Sequence, residues 1–263
     1  MIDIHCHILP GVDDGSDSIE KSLKKIETMY ESGVKTIVFT PHFMRGCYEN
    51  TTELMKPVFD DFKKKVLEKF PDLKLFLAAE IYITPKTAED VQQNDFGYGE
   101  SNYVLVESSM SEFPDFFEEV IFNLLRKGFR PVLAHPERYA TILNNPEKID
   151  ELIHKNVYMQ VNAGSLGGHY GADSAKLAWK MIRQGKAHFM ASDDHCRSEE
   201  YSLIKAAETV RERIDEYTVK LLTEINPGKM LRNEKIDFFY LELEEEEEKS
   251  GFIKKIIRKL LNL

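Results

Sequence analysis

Short runs of β-branched and aromatic residues alternate with longer amphipathic segments through most of this chain, and that alternation limits its fold more than any other feature. The extended runs fall at residues 1–4, 34–40 (VKTIVFT), 73–79 (LKLFLAA), 103–107 (YVLVE), 130–135 (RPVLAH), 156–162 (NVYMQVN) and 186–192 (KAHFMAS). After the first comes a segment capped by Asp17, in which Ile19, Leu23, Ile26 and Met29 recur at helical spacing until Gly33 ends it. The same spacing predicts helices near 53–69, 86–93, 114–127, 147–155, 172–184 and 199–213. A strand followed by a helix, about seven times over, implies parallel pairing through helical crossovers. No Pro/Gly/Ser-rich linker interrupts the series, so one closed or nearly closed α/β barrel over residues 1–240 is expected rather than two domains. An open doubly wound sheet is the alternative, but neither GxGxxG nor GxxxxGK[ST] follows any strand to mark a nucleotide crevice.

Charge narrows the partners. The 263 residues carry 35 Lys+Arg against 45 Asp+Glu, a formal net charge of -10, which opposes binding to a nucleic-acid backbone of the same sign. Mean hydropathy is -0.38, and no apolar run approaches the ~18 residues of a spanning helix. The opening MIDIHCHILP lacks a basic stretch leading into a long apolar one, so a cytoplasmic location is expected. Cys6, Cys47 and Cys196 are odd in number and widely spaced, which disfavours a disulfide framework.

The chemistry-bearing residues cluster by position rather than by sequence. His5 and His7 follow the first strand, His42 the second, Glu80 the third, Glu107 the fourth, His135 the fifth, and Asp193 and His195 the seventh. Asp13 and Asp14 form an acidic pair soon after the first strand. In an α/β barrel these C-terminal strand ends share one face, where active sites are built. Taken singly, His42 or His135 reads as an ordinary hydrogen-bonded histidine; chance does not comfortably explain the set. With Asp14 the candidates number nine, more than one ion can use, so two or three divalent ions bridged by carboxylates are expected. Imidazole and carboxylate donors without thiolate suit manganese, iron or zinc. Such clusters hydrolyse phosphoesters through a metal-bound hydroxide. Arg138, three residues after His135, and Arg197, two after His195, are the candidate phosphate binders, and Arg45 is a weaker third. A thiol mechanism would need an Arg six residues beyond its Cys; Val12, Glu53 and Ser202 stand there instead.

The segments HCHILPGVDDGSDS, TPHF, LFLAAE, LVES, LAHPERY, QVNAGSLGG and ASDDH, in that order, resemble the polymerase-and-histidinol-phosphatase (PHP) superfamily. Within it they resemble bacterial capsule-biosynthesis protein-tyrosine phosphatases, from residue 1 to about 232 and including the closing NPGKML. The resemblance implies a distorted (β/α)7 TIM-like barrel with a trinuclear, usually manganese-dependent site. Iron, zinc, cobalt or magnesium are alternative ions. It also implies activity on phosphotyrosine of a membrane-associated bacterial tyrosine kinase that controls exopolysaccharide export. The family's ligands fall on His5, His7, Asp14, His42, Glu80, Glu107, His135, Asp193 and His195, and its phosphate-binding arginine falls on Arg138. One segment departs from the pattern: SDDHCRS has Cys196 where the family commonly has Asn, and Arg197 directly after it instead of an Arg several residues on. The rival readings are a small-molecule phosphatase of histidinol-phosphate type and a non-catalytic phosphopeptide-binding module.

Residues 241–263 stand outside the resemblance. Glu244 to Glu248 form an acidic run, after which Phe252, Ile253, Ile256, Ile257, Leu260 and Leu261 alternate at helical spacing with Lys254, Lys255, Arg258 and Lys259. Such a helix either docks on the barrel or a second subunit, or lies on an anionic membrane surface, which would place the protein peripherally at the inner face.

Overall fold

The computed structural model describes residues 1–238, so the acidic run and basic tail of residues 241–263 lie outside the described residues. In chain order the first half comprises β1 (Ile2–Asp3), α1 (Ile19–Glu31), β2 (Thr36–Phe39), β3 (His42–Phe43), α2 (Thr52–Lys69), β4 (Lys74–Leu77), β5 (Glu80–Tyr82), α3 (Thr87–Asn94), β6 (Tyr103–Glu107) and α4 (Phe117–Arg126). The second half comprises β7 (Arg130–Ala134), a 3-10 turn (Pro136–Arg138), α5 (Ala140–Asn144), α6 (Lys148–His154), β8 (Tyr158–Asn162), α7 (Ala163–Leu166), α8 (Ala172–Arg183), β9 (Phe189–Ala191) and α9 (Ser202–Arg213). Three short pieces follow: α10 (Glu216–Lys220), a π-helical turn (Leu221–Ile225) and α11 (Asn226–Leu231).

Every strand pairing is parallel, in the orders β1-β2-β4 and β3-β5-β6-β7-β8-β9. The two sheets are one barrel wall interrupted twice. Pro41 offers no backbone N–H, and the second strand breaks there and resumes as β3; the third breaks at Ala78 and Ala79 and resumes as β5, with His42 in register with Glu80. His42 and Glu80 therefore stand inside resumed strands, which corrects their expected place beyond strand ends. The wall closes where Asp193 N donates to His5 O (2.8 Å) and His7 N donates to Asp194 O (2.9 Å). Counting β2/β3 and β4/β5 as single strands gives the seven-stranded parallel α/β barrel that the alternating pattern implied.

Strand periodicity explains both the core and the site. Val38, Ala78, Tyr103, Leu105, Val132, Ala134, Tyr158, Phe189 and Ala191 form the barrel interior, while the residues between them, such as Ile37, Val104, Leu133 and Val161, pack under the helices. Each fully buried Val, Leu or Phe among them contributes about 1.5–3 kcal/mol. Continuing the inward parity toward the C-terminal ends puts His42, Glu80, Glu107, Gln160, Asn162 and Asp193 on the same inner face. The opposite end is plugged: Tyr158 Oη donates to Ile236 O (2.9 Å) and Tyr103 Oη to Glu234 O (2.9 Å).

The predicted helices match within a few residues, with two corrections. Ser18, not Asp17, caps α1, its hydroxyl accepting from Lys21 N, whereas Asp17 pairs with the Lys21 ammonium. α5, α7 and the helical pieces after residue 214 were not anticipated; in α11 Pro227 stands in the first turn, where proline is tolerated.

A buried histidine outside the site makes stability depend on pH. His188 is sealed beneath Tyr158 and Phe238, accepts from Met159 N at Nδ1 (3.0 Å), and is held by burial down to about 3. The unfolded chain takes a proton there below its ordinary 6.5, so stability is complete above that pH and falls as pH drops toward 3. Between pH 7 and pH 5 the loss from this residue is about 2 kcal/mol. In His188→Asn, which keeps an acceptor for Met159, denaturant titrations at the two pH values should differ by about that much less. An unchanged difference would remove His188 as the cause.

Candidate metal centre

The open end of the barrel carries a cleft of about 880 Å³ whose floor holds Asp14, His42, Glu80, Glu107, His135, Asp193 and His195. Three groups of donor atoms converge there: His5, His7, Glu80 and Asp193; His7, Asp14, His42 and His195; and His42, Glu80 and Glu107. His7, His42 and Glu80 each belong to two groups, so the three lie against one another. His135 joins through Glu80, with Nε2 3.1 Å from Oε1. All nine residues expected from the sequence are thus brought together.

The innermost group has dimensions that suit an ion. His5 Nε2, His7 Nε2, Glu80 Oε2 and Asp193 Oδ1 lie 3.1–3.5 Å apart in the five pairings measured. A point at the centre of a tetrahedron of that edge is about 2.0 Å from each corner, the length of a zinc–nitrogen or zinc–oxygen bond. Orphaned atoms give an independent fit test. His42 Nδ1 and Glu107 Oε1 are buried 3.0 Å apart yet unaligned for a hydrogen bond, and neither has another hydrogen-bond partner. His135 Nδ1 is also buried without one. Divalent ions fit this donor set, because four carboxylates at the base of one cleft would otherwise be a prohibitive concentration of like charge.

Protonation follows the same logic. Burial disfavours a charge on His5, yet the Glu80 and Asp193 carboxylates raise it from 6.5 to about 9. Burial likewise opposes ionisation of Glu80 and Asp193, but the neighbouring histidines hold both carboxyls well below the usual range. The field at the centre of the group therefore favours a cation, and binding one would release protons.

Four residues that sequence reasoning did not assign orient these donors. His7 Nδ1 donates to Asp13 Oδ2 (2.8 Å), and burial is outweighed by that contact, so Asp13 is held down to about 2. Gln160 Nε2 donates to Asn162 Oδ1 (3.3 Å), which turns Gln160 Oε1 toward His5 Nδ1 (2.7 Å). Glu137, wholly buried, accepts from Asn162 N (2.9 Å) and Ser165 Oγ (2.6 Å). With a proton fixed on Nδ1, it is the Nε2 atoms of His5 and His7 that face inward and would give up a proton to a cation. His195 is fixed alike, its Nδ1 donating to Asp193 O (2.9 Å). Gln160 and Asn162 share the inward parity of the strand ends, a signal available in the sequence; Asp13 had been noted only as half of an acidic pair. Gly15 has no room for a side chain, since a Cβ there would strike the His7 carbonyl.

The arginines differ. Arg138 Nη1 donates to Asp193 Oδ2 (2.9 Å) and its guanidinium lies 4.0 Å from the Tyr170 ring centroid. Arg197 lines the cleft but is mostly exposed, and its Nη2 donates to Asp14 Oδ2 (2.6 Å), whose Oδ1 faces His42 and His195. Arg45 is tied to Asp90 and takes no part in the cleft. The free thiols do not replace these groups: Cys6 is buried, and burial pushes Cys196 up to about 11. Cys196 sits at φ +56°, a left-handed conformation that few residues other than Gly, Asn and Asp adopt readily.

Comparison with known proteins agrees with this geometry. Residues 1–232 match the family of capsular polysaccharide synthesis proteins CpsB/CapC. CapC of Staphylococcus aureus is 34% identical over 238 residues, 90% of this chain and 93% of its own. The tyrosine-protein phosphatase YwqE of Bacillus subtilis is 30% identical over 238 residues with the same shares, 90% and 93%. A chain from the crystal structures of YwqE from Bacillus subtilis and CpsB from Streptococcus pneumoniae, described as unique metal-dependent tyrosine phosphatases, superposes with a TM-score of 0.83 at 30% identity, covering 90% of this chain and 96% of that one. The chain belongs to the CpsB/CapC capsular polysaccharide synthesis family.

Proposed function

We propose that this protein is a metal-dependent protein-tyrosine phosphatase, hydrolysing phosphotyrosine on a bacterial tyrosine kinase that governs capsule or exopolysaccharide synthesis. The observation that carries this reading is the set of three interlocking donor groups at the base of a cleft, with an arginine fixed beside them. The relatives named above support the phosphatase, as tyrosine-protein phosphatases, and the family description supports the link to capsular polysaccharide synthesis. His5, His7, Asp14, His42, Glu80, Glu107, His135, Asp193 and His195 would hold two or three divalent ions, with manganese the first candidate. Bound there, such ions supply a nucleophilic water at neutral pH and neutralise phosphoryl oxygens.

The chain's own residues do the rest. Asp13, Gln160 and the Asp193 carbonyl keep protons on the Nδ1 atoms of His7, His5 and His195, so it is their Nε2 atoms that would ligate. Asp193 divides its carboxylate, Oδ1 toward His5 and His7 and Oδ2 toward Arg138 and Asn162, which links the arginine to the cluster. Nη1 of Arg138 is committed to Asp193, leaving its other N–H groups for two phosphate oxygens. Arg197, which also lines the cleft and is held there by Asp14, is the second phosphate contact in this reading. Phenolate leaves readily, so a strong general acid is not required.

The test is turnover by the manganese-loaded chain on a phosphotyrosyl peptide, the same peptide with phosphoserine, and histidinol phosphate. Preference for phosphotyrosine supports the reading; faster turnover of histidinol phosphate would replace it with a small-molecule phosphatase, and phosphopeptide binding without turnover with a binding module. No helix among the described residues is long and apolar enough to cross a membrane. The three free cysteines support a reducing cytoplasm as the location. The cationic residues of the tail, Lys254, Lys255, Arg258 and Lys259, support contact with the anionic inner face of the membrane. Deleting residues 250–263 should abolish co-sedimentation with anionic liposomes; undiminished binding would sink the membrane role.

A further inference from the structure

The guanidinium of Arg138 is gripped on two sides. Its Nη1 edge is tied to Asp193 Oδ2 at 2.9 Å, and its Cζ lies over the Tyr170 ring, 4.0 Å from the centroid. No other hydrogen bond of this guanidinium is formed among the described residues. A salt bridge through one nitrogen fixes a point, yet the guanidinium plane can still swing about it; a ring against the face removes that freedom. Tyr170 is built into this position. It is half-buried in the cleft wall, and the chain on either side passes through Gly168 (φ +82°) and Gly171 (φ +96°), left-handed conformations that let the loop turn its ring inward. The ring also abuts Gly164 of α7, where even a methyl group would press on Cε2 at 3.3 Å. The ring therefore has the arginine and the backbone of α7 as close neighbours.

We infer that Tyr170 is a positioning residue: it stacks on Arg138 and holds the guanidinium plane so that its free edge meets the phosphoryl oxygens. The inference rests on the phosphatase reading of the cleft. The ring faces the guanidinium through its π-surface, so an aromatic side chain without the hydroxyl serves equally, and an aliphatic one of similar bulk does not. Met110 lines the same cleft, and its carbonyl accepts from Ala140 N (2.8 Å), which ties down the segment after Arg138.

The test uses the full chain loaded with manganese. Affinity for inorganic phosphate is measured by calorimetry, kcat and KM on a phosphotyrosyl peptide by initial rates, and bound metal by elemental analysis, for Tyr170→Phe and Tyr170→Leu. Tyr170→Leu should weaken phosphate binding about tenfold and lower kcat/KM at least as much, while Tyr170→Phe stays within about twofold of the wild type. Metal content and melting temperature should be the same in all three. Wild-type phosphate affinity in Tyr170→Leu would overturn the inference, as would an equal loss in Tyr170→Phe or a loss of bound metal in either. Should the wild type bind phosphate but prefer phosphoserine peptide, the tyrosine-phosphatase reading falls, and the phosphate affinities still decide the role of Tyr170.

Discussion

Replacing Glu80 with Gln is expected to lower kcat/KM on a phosphotyrosyl peptide by on the order of a thousandfold and to lower the number of divalent ions bound per chain. The reason lies in how its two oxygens are used. Oε2 faces His5 (3.3 Å), His7 (3.2 Å) and His42 (3.1 Å), and Oε1 faces His135 (3.1 Å). Glu80 thus belongs to two of the three donor groups; only His7, Asp14, His42 and His195 close without it. Gln has the same shape but no charge, so the two affected groups lose the anion that draws a cation in. Elemental analysis of the purified variant checks the ion count. A variant with full metal content and full activity would show that the groups do not act as ligand sets.

Arg138→Ala should cost about 10²–10³ in kcat/KM, and Arg138→Lys nearly as much, with metal content unchanged in both. Two features make the lysine variant informative. A single ammonium cannot bond Asp193 and reach two phosphate oxygens in one plane, nor can it present a flat face to Tyr170. A lysine that restored activity would reduce the arginine to a point charge. Loss of metal in either variant would instead mean that Arg138 matters through Asp193. Arg197→Ala should cost less, since this mostly exposed side chain is held by a single partner, Asp14.

Much of this was legible before the fold was seen, for a physical reason. Parallel strands buried on both faces read as continuous apolar runs, so YVLVE and NVYMQVN mark their own positions, and ligands at their ends inherit a common location. Placing nine residues from six of the seven strands in one cluster needed only that rule. That the strands resume at His42 and at Glu80 was not legible, because two or three extended residues carry no hydrophobic period of their own. Gln160, Asn162 and Glu137 escaped notice because each acts by orienting a neighbour, and an uncharged amide at a strand end carries no chemical signature of its own. Tyr170 stands in a glycine-rich loop whose path no periodicity predicts.

The central claim is that these nine residues form a metal centre on which phosphotyrosine hydrolysis depends. The direct measurement is turnover of a phosphotyrosyl peptide as manganese is titrated into the chelator-stripped chain, with bound ions counted in each sample. The account predicts no turnover in the stripped chain and a rise that levels off at two to three ions per chain. Turnover undiminished after stripping, or unrelated to the number of ions bound, would contradict it.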